Sequence, residues 1–347
     1  MRKVLLLGLL FSVLFACEST GNKEEQQEEK EAVVNVYTHR HYEVDQKLFA
    51  QFEETTGIKV NVVNASADEL MQKMESEGEA SPADVLITVD AGRLVRAKEK
   101  NLLQSVDSEQ LESILPSHLI DTDKQWFALT KRARVIVYAK DRVQPEQLST
   151  YEALTEDQWQ DKVLIRSSSN IYNQSLLASI IANNGEEAAR EWAAEMVDNM
   201  ARAPKGNDRD QMKAVVAGEG DLAVVNTYYV GKLLNSKDAE EVKVGESIGI
   251  FFPNQDGRGA HINISGAGVA KYAPNKENAI KFIEFLAGKE AQQVFAQANY
   301  EYPVHPEVEA ADLLKSWGDF KEDELPLSKL GENNKTASMV FDAAGWR

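Results

Sequence analysis

From Ala32 onward, short apolar runs alternate with longer stretches in which apolar residues recur every three or four positions. Residues 33–37 predict a strand. Residues 43–55 carry Val44, Leu48 and Phe52 at four-residue spacing and are followed by Gly57, the pattern of an amphipathic helix closed by glycine. Residues 58–63 predict the next strand, 67–77 a helix, and 83–89 a strand after Pro82. This is the βαβ rhythm of a parallel sheet covered on both faces. A longer extended stretch spans 127–138. A second run begins at 162–165, with helices over about 172–183 and 186–200 and a strand over 222–225. Residues 247–252 and 262–269 predict further strands, and 278–286 and 291–298 amphipathic helices. No internal repeat is visible.

Two α/β units with long extended crossings near 132–138 and 260–270 predict two lobes joined by two strands. A discontinuous lobe, 32–133 plus 261–347, would enclose a second, 134–260, with a cleft between them. Lobes so linked can close on a ligand by a hinge, and open sheets bind ligands beyond the carboxyl ends of their strands.

Composition sharpens this picture. With 347 residues, 43% of them hydrophobic, the chain can bury a sizeable core, and its length suggests about two domains. Residues 1–16 place Arg2 and Lys3 before an apolar run from Val4 to Ala16, which predicts a secretory signal too short to span a bilayer. Cys17, the only cysteine, follows Leu14, Phe15 and Ala16 in a pattern that resembles a bacterial lipobox, with Phe15 in place of the usual small residue. Lipidation of Cys17 is therefore expected, and a chain processed there has no cysteine left for a disulfide or a zinc-thiolate site. Residues 17–31 are rich in Glu, Gln and Lys and too polar to fold, so they predict a flexible tether. The formal charge is -18, and loss of Arg2 and Lys3 with the leader makes the mature chain more negative still. Such a chain is a poor binder of nucleic acid.

Candidate chemistry gathers at three strand-to-helix junctions that carry tyrosine. One is Tyr37 to Tyr42, containing His39, Arg40 and His41; the second runs from Arg166 through Ser167, Ser168, Ser169 and Asn170 to Tyr172; the third is Asn226, Thr227, Tyr228 and Tyr229. Adjacent side chains on a strand point to opposite faces, and adjacent residues on a helix do not share one. At a strand-to-helix junction the backbone can turn enough for both phenols of the Tyr228–Tyr229 pair to converge. If all three junctions meet, the site holds His41, Tyr42, Tyr172, Tyr228 and Tyr229. Phenols ionise near pH 10, so only a strongly charged, hard cation compensates for removing their protons. Ferric iron does so; zinc or calcium would gain less from phenolates, and calcium is served better by carboxylates.

Several segments carry a wider resemblance: 38–42 (Thr-His-Arg-His-Tyr), 127–138, 165–175, 225–229 (Val-Asn-Thr-Tyr-Tyr), 262–269 and 298–304. They are similar to those of ferric-ion-binding proteins of bacterial iron ABC importers, over nearly all of the chain beyond the tether. The resemblance implies a class II periplasmic-binding-protein fold: two doubly wound α/β sheets joined by a two-strand hinge. It places the family's His-Tyr pair on His41 and Tyr42, its lone tyrosine on Tyr172 and its Tyr-Tyr pair on Tyr228 and Tyr229. In some members a small anion such as carbonate completes the shell; in others tyrosines and histidine suffice, and this sequence is nearer the second kind. The implied function is a monomeric, lipid-anchored periplasmic receptor that captures Fe(III) and hands it to an inner-membrane permease and its ATPase.

Other residues have competing roles. His39 and His41 would share a strand face, and His41 is favoured because it adjoins the tyrosine as in the family. Arg40, Arg132, Arg134 and Arg166 could hold an anion or balance phenolate charge, or could form internal salt bridges. Ser167 to Asn170 are expected to cap a helix, and Tyr302 to pack. Gly266 and Gly268 lack the later glycine of a dinucleotide fingerprint and predict a hinge or close packing. There is no Gly-x-Ser-x-Gly elbow and no His-Glu-x-x-His helix, so an enzyme is not expected. The alternatives are a same-fold receptor for a polyamine or sugar phosphate, and an extracytoplasmic hydrolase.

Overall fold

The computed structural model describes residues 31–347; the predicted signal and most of the tether, with Cys17, lie outside the described residues. Eight strands form one mixed sheet: β1 (Val33–Thr38), β2 (Lys59–Asn64), β3 (Val85–Val89), β4 (Phe127–Ala139), β5 (Val163–Leu164), β6 (Leu222–Asn226), β7 (Ile248–Phe251) and β8 (Ile262–Val269). They run in the order β2-β1-β3-β8-β4-β6-β5, with β7 paired to β4. The pairs β1–β2, β1–β3 and β5–β6 are parallel, as the βαβ rhythm predicts. By contrast β8 pairs antiparallel with both β3 and β4.

Strand β4 spans both halves of the sheet. Its first part, from Phe127 to Ala133, lies against β8, and its second, from Arg134, lies against β6 and β7. In that second part successive residues enter different cores. Val135 and Val137 join the larger cluster with Val225, while Ile136 joins another with Val224 and Trp192. Period-two alternation puts them on opposite faces, both covered.

Helices supply the cover. In the first stretch they are α1 (Glu43–Thr56), α2 (Ala67–Glu77), α3 (Ala91–Glu99) and α4 (Glu109–Ile114). In the middle come α5 (Ile171–Asn184), α6 (Glu186–Asp198), α7 (Asp208–Val216), α8 (Thr227–Leu234) and α9 (Ala239–Ser247). The last are α10 (Lys276–Ala287), α11 (Lys289–Ala298), α12 (Asp312–Lys315), α13 (Ser328–Glu332) and α14 (Asn334–Ala344). Helix α1 buries Val44, Leu48 and Phe52 and stops at Gly57, whose φ of 69° is left-handed backbone that glycine adopts without strain. Helix α2 starts at Ser66, whose hydroxyl accepts from the Glu69 N–H while the Glu69 carboxylate accepts from Ser66.

The carboxyl-terminal helices carry no strong sequence signal, yet they are structural. Helix α13 packs on both α3 and α5, and α14 on α5 and α6. Val340, Phe341 and Trp346 lie in the same cluster as Ile136 and Trp192, and the Trp346 indole donates to the Arg166 carbonyl at 3.0 Å. Gly266 and Gly268 do mark close packing: a Cβ on Gly266 would sit 2.8 Å from the Phe127 carbonyl oxygen, and one on Gly268 2.5 Å from that of Gln125. Among the described residues no helix is long and apolar enough to cross a membrane.

Candidate metal centre

Strand β1 ends at Thr38, and the chain turns through His39, Arg40 and His41 to Tyr42, which takes the N-cap position of α1 with extended backbone. Beneath this turn Arg40 is buried. Its Nε donates to Asp45 Oδ1 at 2.9 Å, and its Nη1 to Ser265 Oγ at 2.7 Å and Glu301 Oε2 at 3.1 Å. The guanidinium stands 5.0 Å from the Tyr42 ring centre, and Asp45 accepts from the Tyr42 N–H at 3.2 Å. Tyr42 is thus held from its backbone and its ring face. Burial, with the Glu301 carboxylate adding to it, pushes its phenol up to about 12.

Tyr172 and the Tyr228–Tyr229 pair sit on the first turns of α5 and α8, each directly after a strand or its following loop. Asn170 caps α5, its Oδ1 accepting from the Tyr172 N–H at 3.1 Å. The phenol oxygens of Tyr172 and Tyr228 are 3.3 Å apart. The rings of Tyr228 and Tyr229 stack at 4.2 Å between centres, inclined by 34°, so the junction does bring adjacent tyrosines side by side. Burial raises both phenols, and each neighbouring phenol would add repulsion if ionised. Tyr42 belongs to the same group. The Lys232 ammonium lies 4.2 Å from the Tyr42 ring centre and 5.2 Å from that of Tyr228, bridging the two. Burial brings that amine down to about 8.

His41 is exposed, with its ring 5.3 Å from that of Tyr42 and its Nδ1 3.5 Å from the His39 carbonyl oxygen. His39 turns away, its Nδ1 3.3 Å from the Ala65 carbonyl oxygen. The four tyrosines are therefore brought together, while His41 stands at their edge. Among the described residues no three His, Cys, Asp or Glu side chains gather into a metal-sized cluster.

Three arginines face Tyr172: the guanidinium carbons of Arg132, Arg134 and Arg166 lie 5.6, 5.9 and 5.6 Å from its ring centre. Arg134 Nη1 and Arg166 Nη1 share the buried carboxylate of Asp208, at 2.6 and 2.7 Å, and Arg134 Nη2 donates to Asn173 Oδ1 at 2.8 Å. These two are salt-bridged. Arg132 is as buried as Arg134, yet none of its three guanidinium nitrogens has a hydrogen-bond partner among the described residues. Its charge favours ionisation of Tyr42 and Tyr228 against the larger effect of their burial. Ser167 and Ser169 hydrogen-bond each other at 3.0 Å in the turn before Asn170, and Tyr302 packs edge-on against Phe320.

Sequence reasoning missed Lys232, Asp208 and Glu301. Lys232 was within reach of it, standing three and four residues beyond the tyrosine pair and so on a shared helix face. Asp208 lies 74 and 42 residues from the two arginines it binds, and Glu301 lies 261 residues from Arg40.

A mixed α/β sheet covered by helices on both faces, with ligand-type side chains at strand-to-helix turns, defines a layered α/β class rather than a barrel or a sandwich. Residues 80–321 match the bacterial extracellular solute-binding protein family, and the chain belongs to that family. It is 51% identical over 323 residues to Iron uptake protein A1 of Synechocystis sp., covering 93% of this chain and 88% of that one. Against the Major ferric iron-binding protein of Neisseria meningitidis the identity is 28% over 319 residues, covering 91% and 94%. Among solved structures, a Trichodesmium protein in complex with iron and citrate superposes with a TM-score of 0.89 at 49% identity, over 91% of this chain and all (100%) of that one. The ferric binding protein from Campylobacter jejuni gives 0.85 at 46%, over 90% and 100%.

Proposed function

We propose that this protein captures Fe(III) through Tyr42, Tyr172, Tyr228 and Tyr229, with His41 as a further donor, and delivers it to the permease and ATPase of an ABC importer. The observation that carries this is the meeting of phenols from three separate junctions, with two hydroxyls 3.3 Å apart. Phenols in such a place are protonated until a cation strong enough to displace their protons arrives, and a trivalent hard ion does so. Once they ionise, Arg132 and Lys232 offset the accumulated negative charge without taking coordination positions. Relatives at 46% identity and above, named for iron uptake or ferric binding or solved with iron, support the ligand assignment.

In this proposal residues 32–133 plus 261–347 and residues 134–260 act as two lobes hinged where β4 and β8 cross, with α14 packed on the second. Tyr172, Tyr228 and Tyr229 take the ion first, and closure brings in Tyr42 and His41. The protein binds and releases, and performs no turnover. Its leader, 1–16, directs export, and lipid on Cys17 tethers a monomer to the membrane facing the periplasm.

The test is a visible absorption spectrum with ferric citrate added, before and after acidification. A tyrosinate-to-iron band should appear at neutral pH and fade in acid, as protons compete for the phenolate oxygens. Absence of any band would sink the assignment.

A further inference from the structure

Asp90 follows β3 and caps α3 with φ of 81°, left-handed backbone that a non-glycine residue keeps only where the surroundings enforce it. Its carboxylate is fully buried and accepts three hydrogen bonds from three different elements. Oδ1 takes the Gly92 N–H of its own helix at 2.9 Å and the Ser175 hydroxyl of α5 at 2.7 Å; Oδ2 takes the Asn263 amide of β8 at 2.9 Å. The other end of the Asn263 amide accepts from the Ala91 and Ile264 N–H groups, both at 2.8 Å. A Cβ on Gly92 would stand 3.1 Å from Asp90 Oδ1 and 3.6 Å from Ser175 Oγ, so α3 and α5 approach closely at this point.

Ser175 lies three residues beyond Tyr172 on α5 and shares its helix face. Asn263 is the cross-strand partner of Arg132, whose guanidinium faces the Tyr172 ring. One carboxylate therefore holds both the helix that presents Tyr172 and the strand pair that presents its cationic neighbour. We infer that Asp90 and Ser175 are positioning residues for Tyr172, fixing its phenol oxygen beside that of Tyr228 and thereby setting affinity for the metal. The inference rests on the assignment of Tyr172 as an iron ligand. Outer-shell partners of this kind typically contribute 10–100-fold in metal affinity.

The experiment is a double-mutant cycle on the full chain, read as Fe(III) affinity in competition with citrate. Ser175→Ala should weaken binding about tenfold. In a Tyr172→Phe background the same change should cost less than about twofold, because a residue acting through Tyr172 has nothing left to position. Asp90→Asn provides a second cycle: an amide can serve the Asn263 donor or the Gly92 and Ser175 donors, but not both sides, and the same loss of coupling is expected. Melting of the iron-free variants separates a folding defect from a binding one. Unchanged affinity in Ser175→Ala, or equal losses with and without the Tyr172 hydroxyl, overturns the inference while leaving the iron assignment standing. A wild-type protein with no tyrosinate-to-iron band fails earlier and removes both.

Discussion

Arg132 and Arg134 stand two residues apart on the same face of β4, both buried and both close to the Tyr172 ring. Arg134 is enclosed by partners: Asp208, Asn173 and Asn226 all accept from its guanidinium. Arg132 has no acceptor among the described residues and looks onto phenols instead. A buried charge without a partner is costly; in the proposed function the phenols beside Arg132 become anionic and offset it, whereas Arg134 already has the carboxylate of Asp208. Near-identical positions on one strand thus differ in partnership by what lies opposite.

The largest expected effect lies on the paired phenols of α8, which meet Tyr172, the ring that Arg132 faces. Tyr228→Phe and Tyr229→Phe should each abolish tight capture, by more than the roughly 100-fold ceiling of outer-shell losses, with the visible band altered or absent. Next comes the scaffold half of the comparison. Asp208→Asn leaves Arg134 and Arg166 without their anion and should destabilise the iron-free protein by about 3–5 kcal/mol, measured by denaturant unfolding. Arg132→Leu should do the reverse: iron-free stability unchanged or higher, and iron affinity lower by roughly tenfold or more. If Arg132→Leu unfolds the protein as Asp208→Asn does, the distinction between the two arginines is lost.

His41→Ala should cost least, weakening capture while keeping the colour, because its imidazole stands exposed at the edge of the phenols. Losses equal to those of Tyr228→Phe would count against capture by the tyrosines of α5 and α8 first. A separate pH effect belongs to the scaffold. His261 is buried beside Arg134 and Arg132, and burial, with those charges adding to it, brings its imidazole down to about 3. Its unfolded value is near 6.5, so the unfolded chain binds the proton more readily. That contribution is complete above about pH 6.5 and is lost as pH falls towards 3. Thermal unfolding of iron-free protein across this range, compared with His261→Gln, should show a shallower acid decline in the variant.

Most of the strands and the longer helices were legible because they bury a face, and a buried face imposes a period on the residues that form it. Helix α1 announced its end as well, through Gly57. The tyrosine junctions were legible for a related reason: side chains at the carboxyl ends of strands are placed by topology, so their type there is informative. Helices α13 and α14 were not visible. They are short, and their place is set by grooves formed from α3, α5 and α6, which no local pattern encodes.

The alternation of strands and helices and the acidic character of the chain follow from residue type and spacing, and the candidates His41, Tyr42, Tyr172, Tyr228 and Tyr229 follow from the tyrosine junctions together with the family resemblance. Which arginine is paired, that His41 stays at the edge, and that Asp90 and Ser175 join across 85 residues were decided only in three dimensions. Periodicity is a local property of the backbone. Hydrogen-bond partnership depends on which distant segments the packed sheet brings within about 3 Å, and that distance has no trace in the spacing of either partner.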